Sequence, residues 1–503
     1  MSKKKVMFTD MTLRDGSQSL WAMKMTYGMH SVVAKEIDQA GYDYIDLPVN
    51  AVNFKMWVRM MKEDPWAIAH QFKRLITKTK KMVPILERID LLGEAEPRAV
   101  VKKWYDLMVE STGSVRHYMM ANSRNELDRY YPWLIPQARE RGMEFSPCIC
   151  YYPSPRTTPE YYAKLTKRLV EEYQPEQLWL KDAGGLLSLD TIRELLPAMQ
   201  KEAKGTPIEL HTHGMSTYQG LVVVEAMKLG VDGVHTCIPP LASGSSHISV
   251  FNAMHNARML DLEHNITDAN ALEIVEERLT RIAKLEGLPI GAPLEYDHGV
   301  YKYQIPGGVI SNLKAQLIQL GIGDKLDEVL HDVEKMIVEL GYPIMITPAS
   351  QFIVSQAAVN VATGERYKVV LDSMIETALG VWGWEDAGVP WMDQNVRDKF
   401  LSQPNAKSLA EKYERTKEIG DSEGSVKELR KSYGLSSSVS DEDFFLYHVM
   451  NGDTEIKKIE PPKTYYTGKE PLTLLLKELG KDKDISRLQL QKGNKFFDYR
   501  RNA

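Results

Sequence analysis

Eight short apolar runs, rich in β-branched and aromatic residues, recur through the first half of the chain with helix-like stretches between them. They are VMFTDM (6–11), YDYIDLPV (42–49), MVPILERI (82–89), VRHYMM (115–120), EFSPCICYY (144–152), QLWLKD (177–182), IELHTH (208–213) and GVHTCI (233–238). The intervening segments, YAKLTKRLVEEY (162–173) among them, carry apolar residues every three or four positions, the period of an amphipathic helix. Such alternation predicts parallel strands joined by crossover helices, and eight units close into a (β/α)8 TIM barrel. The competing arrangement is an open doubly wound sheet, but no GxGxxG turn follows the first strand.

Near residue 290 the texture changes. GLPIGAPLEYDHGVYKYQIPGG (287–308) is dense in Gly and Pro, and LKAQLIQLGIGDKLDEVLHDVEKMIVELG (313–341) is strongly helical. Three segments are expected: a barrel over 1–300, a mostly α-helical C-terminal domain over 301–400, and a polar helical tail over 401–503 whose role the sequence does not indicate. With 63 Lys+Arg against 68 Asp+Glu and no long block of one sign before residue 400, neither a nucleic acid nor an anionic membrane surface is an expected partner. Three cysteines, Cys148, Cys150 and Cys237, match neither a disulfide framework nor a zinc ribbon, as in a reducing compartment. No window reaches about 18 apolar residues and the N-terminus lacks a signal-peptide pattern. A soluble, unprocessed cytoplasmic protein is expected.

In a barrel, chemistry gathers where strands end and βα loops begin. Asp15 follows the first run, Lys181 and Asp182 end the sixth, and His211 and His213 end the seventh, where alternation points both imidazoles to one side. Two histidines with a carboxylate suit zinc, manganese, cobalt or iron. An HxH pair alone is more often two ordinary polar strand residues, and Asp15 and Lys181 on other strands are what favour a metal. A desolvated lysine beside a divalent cation can react with CO2 to form a carbamate, which is a carboxylate; a salt bridge from Lys181 to Asp182 or Asp15 is the plainer alternative.

TLRDGSQS (12–19), CYYPSP (150–155), LKDAGGLL (180–187), LHTHG (210–214), YQIPGG (303–308) and TPASQ (347–351) together resemble the carboxyltransferase components of biotin-dependent enzymes. That family includes the carboxyltransferase domain of pyruvate carboxylase, the oxaloacetate decarboxylase α subunit and the pyruvate-side subunit of transcarboxylase. The resemblance runs over about 6–385 and implies a divalent metal (zinc, manganese or cobalt) held by Asp15, carbamylated Lys181, His211 and His213. Arg14 and Gln18 would face substrate and biotin, Thr347 would shuttle a proton between biotin and acceptor, and Ser350 would lie nearby. The helical domain would complete the active-site funnel. Carboxybiotin would enter the barrel mouth and lose CO2, and the acceptor enolate would attack that CO2 in a dry pocket. No ATP-grasp pattern precedes the barrel. Biotin would therefore arrive in trans on a biotin carboxyl carrier protein, with a biotin carboxylase or second carboxyltransferase subunit as a further partner. A homodimer or higher oligomer is implied.

Against the family pattern, Ser17 replaces a His. Glu87 falls where an arginine grips the keto-acid carboxylate, with Arg88 one residue away and out of register. An FDxxND segment becomes Tyr118–Ser123, placing Met119 at the substrate wall, and the His of SPxHT becomes Arg156. An acceptor other than simple pyruvate is expected; the alternative is a pyruvate or oxaloacetate enzyme whose clamp has moved to Arg14, Arg88 or Arg156. Two rival functions are a metal-dependent lyase or aldolase of the isopropylmalate synthase and hydroxymethylglutaryl-CoA lyase type, and a non-catalytic assembly platform. Ala22-Met23-Lys24-Met25 spells a biotinylation motif, yet only 21 residues precede it and no hairpin signals flank it, so Lys24 is not expected to carry biotin.

Overall fold

A computed structural model describes residues 4–84, 95–122, 125–319, 321–346, 349–452, 454–465, 484–492 and 495–500. Glu87, Arg88 and Thr347 lie outside them. Seven of the eight apolar runs contain one strand each and the third overlaps one at 82–84, the rest of that run lying outside the described residues: β1 (Met7–Asp10), β2 (Tyr44–Asp46), β3 (Lys80–Pro84), β4 (Arg116–Met120), β5 (Glu144–Cys150), β6 (Leu178–Asp182), β7 (Ile208–Thr212) and β8 (Gly233–Thr236). The strands pair in sequence order and close into a barrel, as the alternation predicts. Closure is parallel, with Met7 opposite Gly233 and Asp10 opposite Thr236.

The period-two alternation of each strand separates two populations. Tyr44, Met82, Tyr118, Cys148 and Trp179 pack together in the lumen. Phe8, Ile45, Val83, Met119, Phe145, Leu178, Leu210 and Val234 join the shell between strands and helices. The helices follow from local signals. Pro159–Tyr173 starts behind Thr158, whose hydroxyl accepts from the Tyr161 N–H, and has Pro159 in its first turn. It buries Tyr162, Leu165, Thr166 and Leu169, one face at helical spacing, and ends at Gln174 in the left-handed conformation.

Beyond the barrel, residues from Ile305 to Phe400 build their own apolar cluster. From it a short segment reaches back: Ile344 and Ile346 pack with Met120, Cys150 and Tyr152, at the mouth ends of β4 and β5. The tail is less uniformly polar than its composition suggests. Its FFLYHV stretch forms helix Asp441–Val449, whose Phe444, Phe445, Leu446 and Val449 enter the barrel's cluster, Phe445 lying 5.6 Å from Trp104. Burying each such phenylalanine contributes about 1.5–3 kcal/mol. Strands Arg487–Lys492 and Lys495–Arg500 pair as an antiparallel hairpin. Among the described residues no helix is long and apolar enough to cross a membrane.

Candidate active site

Asp15 sits in the turn Thr12–Gly16 that directly follows β1. Gly16 allows this turn to press against the loop after β8, since a Cβ there would stand 2.9 Å from Cys237 Sγ and 3.0 Å from the Leu241 carbonyl oxygen. Ser17 is buried and donates to the carbonyls of Leu13 (2.9 Å) and Arg14 (3.1 Å), so the serine at the departing position secures the turn.

Among the described residues Asp15, His211, His213 and His247 can each bring one ligand atom within 4.8 Å of the others, and all four are buried. His211, His213 and His247 place Nε2 at 3.1, 3.4 and 3.0 Å from Asp15 Oδ2. The hydrogen bonds behind two of the rings fix their tautomers. His213 Nδ1 lies 2.8 Å from the Ser245 carbonyl, which can only accept; Nδ1 therefore carries a proton, and a neutral ring presents a bare Nε2.

His211 is fixed by a longer chain. Burial alone would raise the Glu209 pKa, but Arg116, donating from 2.8 Å, holds it down at about 2, so Glu209 is a carboxylate. It accepts from His235 Nε2 at 2.8 Å, and burial lowers the His235 pKa and keeps that ring neutral. His235 Nδ1 is then an acceptor for His211 Nδ1–H at 3.0 Å, and His211 too turns a bare Nε2 toward Asp15. Asp15 is itself ionised: burial acts to raise its pKa, but Arg14 and His213 hold it well below the usual carboxylate range.

Two nitrogen lone pairs and a carboxylate oxygen thus converge, with His211 and His213 Nε2 at 3.3 Å, on a point that could hold a cation. Tetrahedral donors on bonds of about 2.0–2.1 Å lie about 3.4 Å apart, so the spacing suits one ion of the zinc type. Without it a proton must stand in. Burial alone would lower the His213 pKa, yet Asp15 outweighs burial and raises it. Metal uptake is therefore expected to displace the proton from whatever fraction of His213 carries it, and affinity to fall as pH drops through the raised His213 value. Calorimetry in buffers of different ionisation enthalpy measures that release, and an enthalpy independent of buffer would contradict it.

Lys181 stands opposite His211 across the β6–β7 ladder, half-buried. Its charge bears on His211, His213 and Asp46, but among the described residues its ammonium makes no hydrogen bond or ion pair. Asp182 does not take the salt-bridge role, because it accepts from Leu186 N–H (2.7 Å), Leu187 N–H (3.1 Å) and the Thr212 hydroxyl (2.8 Å), bracing the loop after β6.

Arg14 lies between two carboxylates, its Nη1 3.2 Å from Asp15 and its Nε 3.8 Å from Asp46. Burial raises the Asp46 pKa to about 7, and the Tyr118 hydroxyl donates to it at 3.0 Å. Tyr118 stacks on Trp179 at 4.4 Å between ring centres. Gln18 is half-buried in helix Ser17–Trp21. Ser350 is fully buried in the first turn of helix Ala349–Thr363, and its hydroxyl has no partner among the described residues.

Residues 5–274 match the HMGL-like family and residues 300–460 the conserved carboxylase domain. The first match alone would suit a lyase as well, and the second decides between them. The chain belongs to the biotin-dependent carboxyltransferase family. It is similar to a subunit of the pyruvate carboxylase of Methanocaldococcus jannaschii, 29% identical over 430 residues that cover 84% of this chain and 74% of that one. The 5S subunit of methylmalonyl-CoA carboxyltransferase from Propionibacterium freudenreichii is 28% identical, covering 76% and 74%. The 2-oxoglutarate carboxylase large subunit of Hydrogenobacter thermophilus is 30% identical, covering 76% of this chain and 58% of that protein. The carboxyl transferase domain of Rhizobium etli pyruvate carboxylase, solved with pyruvate, shares the fold at a TM-score of 0.74 and 20% identity, over 91% of this chain and 77% of that one.

The carboxyltransferase brings Arg14, Asp15, Lys181, His211 and His213 together at one end of its barrel. Met119 is not in that group: its side chain packs in the outer shell, and parity along β4 gives the lumen to Arg116 and Tyr118. Arg156 is engaged elsewhere, stacked 3.7 Å over Trp391 and donating to the Gly341 carbonyl at 2.5 Å. Lys24 is exposed in a turn whose Ala22 and Met23 have positive φ, between helices Ser17–Trp21 and Tyr27–Ser31 rather than on a β-hairpin. Three functional neighbours escape a reading of the sequence. Glu209 and His235 are polar letters inside strands, detectable by carrying the HxH parity two residues back and across to β8. His247 lies in SGSSH, an aperiodic loop, though one at the mouth end of a strand.

Proposed function

We propose that this enzyme moves a carboxyl group between carboxybiotin on a separate carrier protein and a small enolisable acceptor other than simple pyruvate. The reaction would take place at a divalent-metal centre of Asp15, His211 and His213 with Lys181, as its carbamate, the fourth ligand. The observation that carries this reading is the convergence of a carboxylate and two bare imidazole nitrogens at the barrel mouth, with Lys181, unpaired among the described residues, in register beside them. A bound zinc, manganese or cobalt ion supplies a Lewis acid for an enolate oxygen. Thr347 passes a proton between the acceptor and the carrier's biotin, and Ser350 and Gln18 border that path. Arg14 orients the acceptor's anionic end. Tyr118 and Trp179 wall the floor of the pocket and keep water from the CO2.

The changed acceptor rests on charge. Glu87 would repel a keto-acid carboxylate, Arg156 is occupied by Trp391, and Arg14 already neutralises Asp15 and Asp46. The relatives named above differ in the acceptors their names give, and this supports a variable pocket on a constant barrel. Residues 1–300 form the catalytic barrel, 301–400 the unit that closes the funnel and 401–503 a buttress. The separate core of Ile305 to Phe400, the seat of Ile344 and Ile346 on the mouth, and the packing of helix Asp441–Val449 into the barrel's cluster support this division. A biotin carboxyl carrier protein, a biotin carboxylase or second transferase subunit, a homodimer or larger assembly and a cytoplasmic location complete the proposal.

The test supplies a biotinylated carrier domain and compares oxaloacetate decarboxylation with exchange into a panel of oxo acids and acyl-CoA thioesters. Some member of the panel is expected to exceed oxaloacetate by at least about tenfold in kcat/KM, about 1.4 kcal/mol of transition-state preference. Oxaloacetate turnover at the level of a pyruvate-directed family member would remove the changed acceptor while leaving the carboxyltransferase.

A further inference from the structure

The cluster around Asp15 holds three imidazoles, one more than a four-coordinate centre that also takes Lys181 can use. We infer that His247, although close enough to ligate, is a positioning residue that donates Nε2–H to Asp15. The inference rests on the metal centre proposed above and assigns its fourth position to Lys181.

The argument lies at the far side of each ring. His211 and His213 each place Nδ1 on an acceptor, His235 Nδ1 and the Ser245 carbonyl, which frees Nε2 for an ion. Metal-bound histidines almost always have such a partner. His247 does not: its Nδ1 is buried and without a hydrogen-bond partner among the described residues. Were Nε2 to ligate, Nδ1 would carry the hydrogen and leave an orphaned buried donor. With the hydrogen on Nε2, only an acceptor is left bare, and buried orphaned N–H groups are the rarer defect. The 3.0 Å from Nε2 to Asp15 Oδ2 is then an ordinary hydrogen bond.

The loop is built to hold it. Ser243 N–H donates to the His247 carbonyl at 2.7 Å, Gly214 N–H to the Ser246 carbonyl at 3.0 Å, and Cys237 N–H to the Ile248 carbonyl at 3.0 Å. These bonds brace the loop against both β7 and β8. Asp15 is thereby gripped on both oxygens, Oδ1 by Arg14 and Oδ2 by His247, and Oδ2 keeps a lone pair for the ion.

The test uses the full chain and its His247→Gln and His247→Leu variants, each loaded with Cu2+ for pulsed EPR and titrated with Zn2+ against a chelator. Two coordinated imidazoles are expected in the wild type and in both variants. Zn2+ affinity should stay within about threefold of wild type in His247→Gln, whose amide can still donate, and fall about 10–100-fold in His247→Leu. Three imidazoles in the wild type with two in His247→Gln would overturn the inference, as would wild-type affinity in His247→Leu. A wild type that takes up no ion overturns the metal centre itself and this role with it, so the two failures are distinguishable.

Discussion

Replacing His211 by alanine is expected to empty the centre of its ion and to lower biotin-dependent turnover by about three orders of magnitude, or about 4 kcal/mol of transition-state stabilisation. The side chain supplies one of two imidazole nitrogens whose lone pairs face Asp15, and it is the end of the chain Glu209–His235–His211. Its loss leaves the proposed centre with Asp15, His213 and Lys181, one donor short of its four, and removes the ligand that the Glu209–His235 pair orients. Metal content by mass spectrometry, kcat with a carboxylated carrier and circular dichroism measure the three parts of the expectation. A folded variant that keeps one ion per chain and a tenth of wild-type turnover would contradict it.

The second large effect concerns stability. Arg116 is fully buried in the barrel lumen, 2.8 Å from Glu209, 3.2 Å from Glu144 and 3.2 Å over the Tyr44 ring. Arg116→Leu leaves Glu209 as a buried carboxylate with, among the described residues, only His235 and Thr9 to satisfy it. Breaking such a pair from one side costs about 3–5 kcal/mol, and chemical denaturation followed by tryptophan fluorescence should show it, Trp179 being part of the same lumen. The pH dependence has a definite sign. Because Arg116 depresses the Glu209 pKa to about 2, the stabilisation is present above the unfolded carboxylate value and is lost as pH falls through about 2. Wild type should therefore resist mild acid better than Arg116→Leu, and equal acid midpoints would count against the account.

The barrel was legible in the sequence because its strands are bounded by turn residues and separated by helices with a clear apolar period; the structure puts a strand in, or overlapping, every predicted run. The histidine pair on β7 was legible for the same reason, parity being a local property. What escaped is the part that depends on three dimensions. The placement of Met119 followed aligned letters, whereas strand parity, anchored by Arg116 in the lumen, gives the inner wall to Tyr118. Glu209 and His235 look like misplaced polar residues until β7 and β8 are seen to bring them within 2.8 Å. His247 sits in a loop with no period to read, and only closure of the sheet brings it beside Asp15.

That closure has a consequence for the order of events during synthesis. Asp15 leaves the ribosome with the first stave, and His247, its hydrogen-bonding neighbour, follows 232 residues later. No growing chain that lacks β7 can assemble the donors of the proposed centre, because His211 and His213 arrive only with that strand and its end. In the proposed metal centre, ion capture therefore waits for β7, and tight binding for the loop after β8 that brings His247 to Asp15; an ion-sensitive probe on stalled nascent chains would register a step as each emerges, rather than a gradual rise.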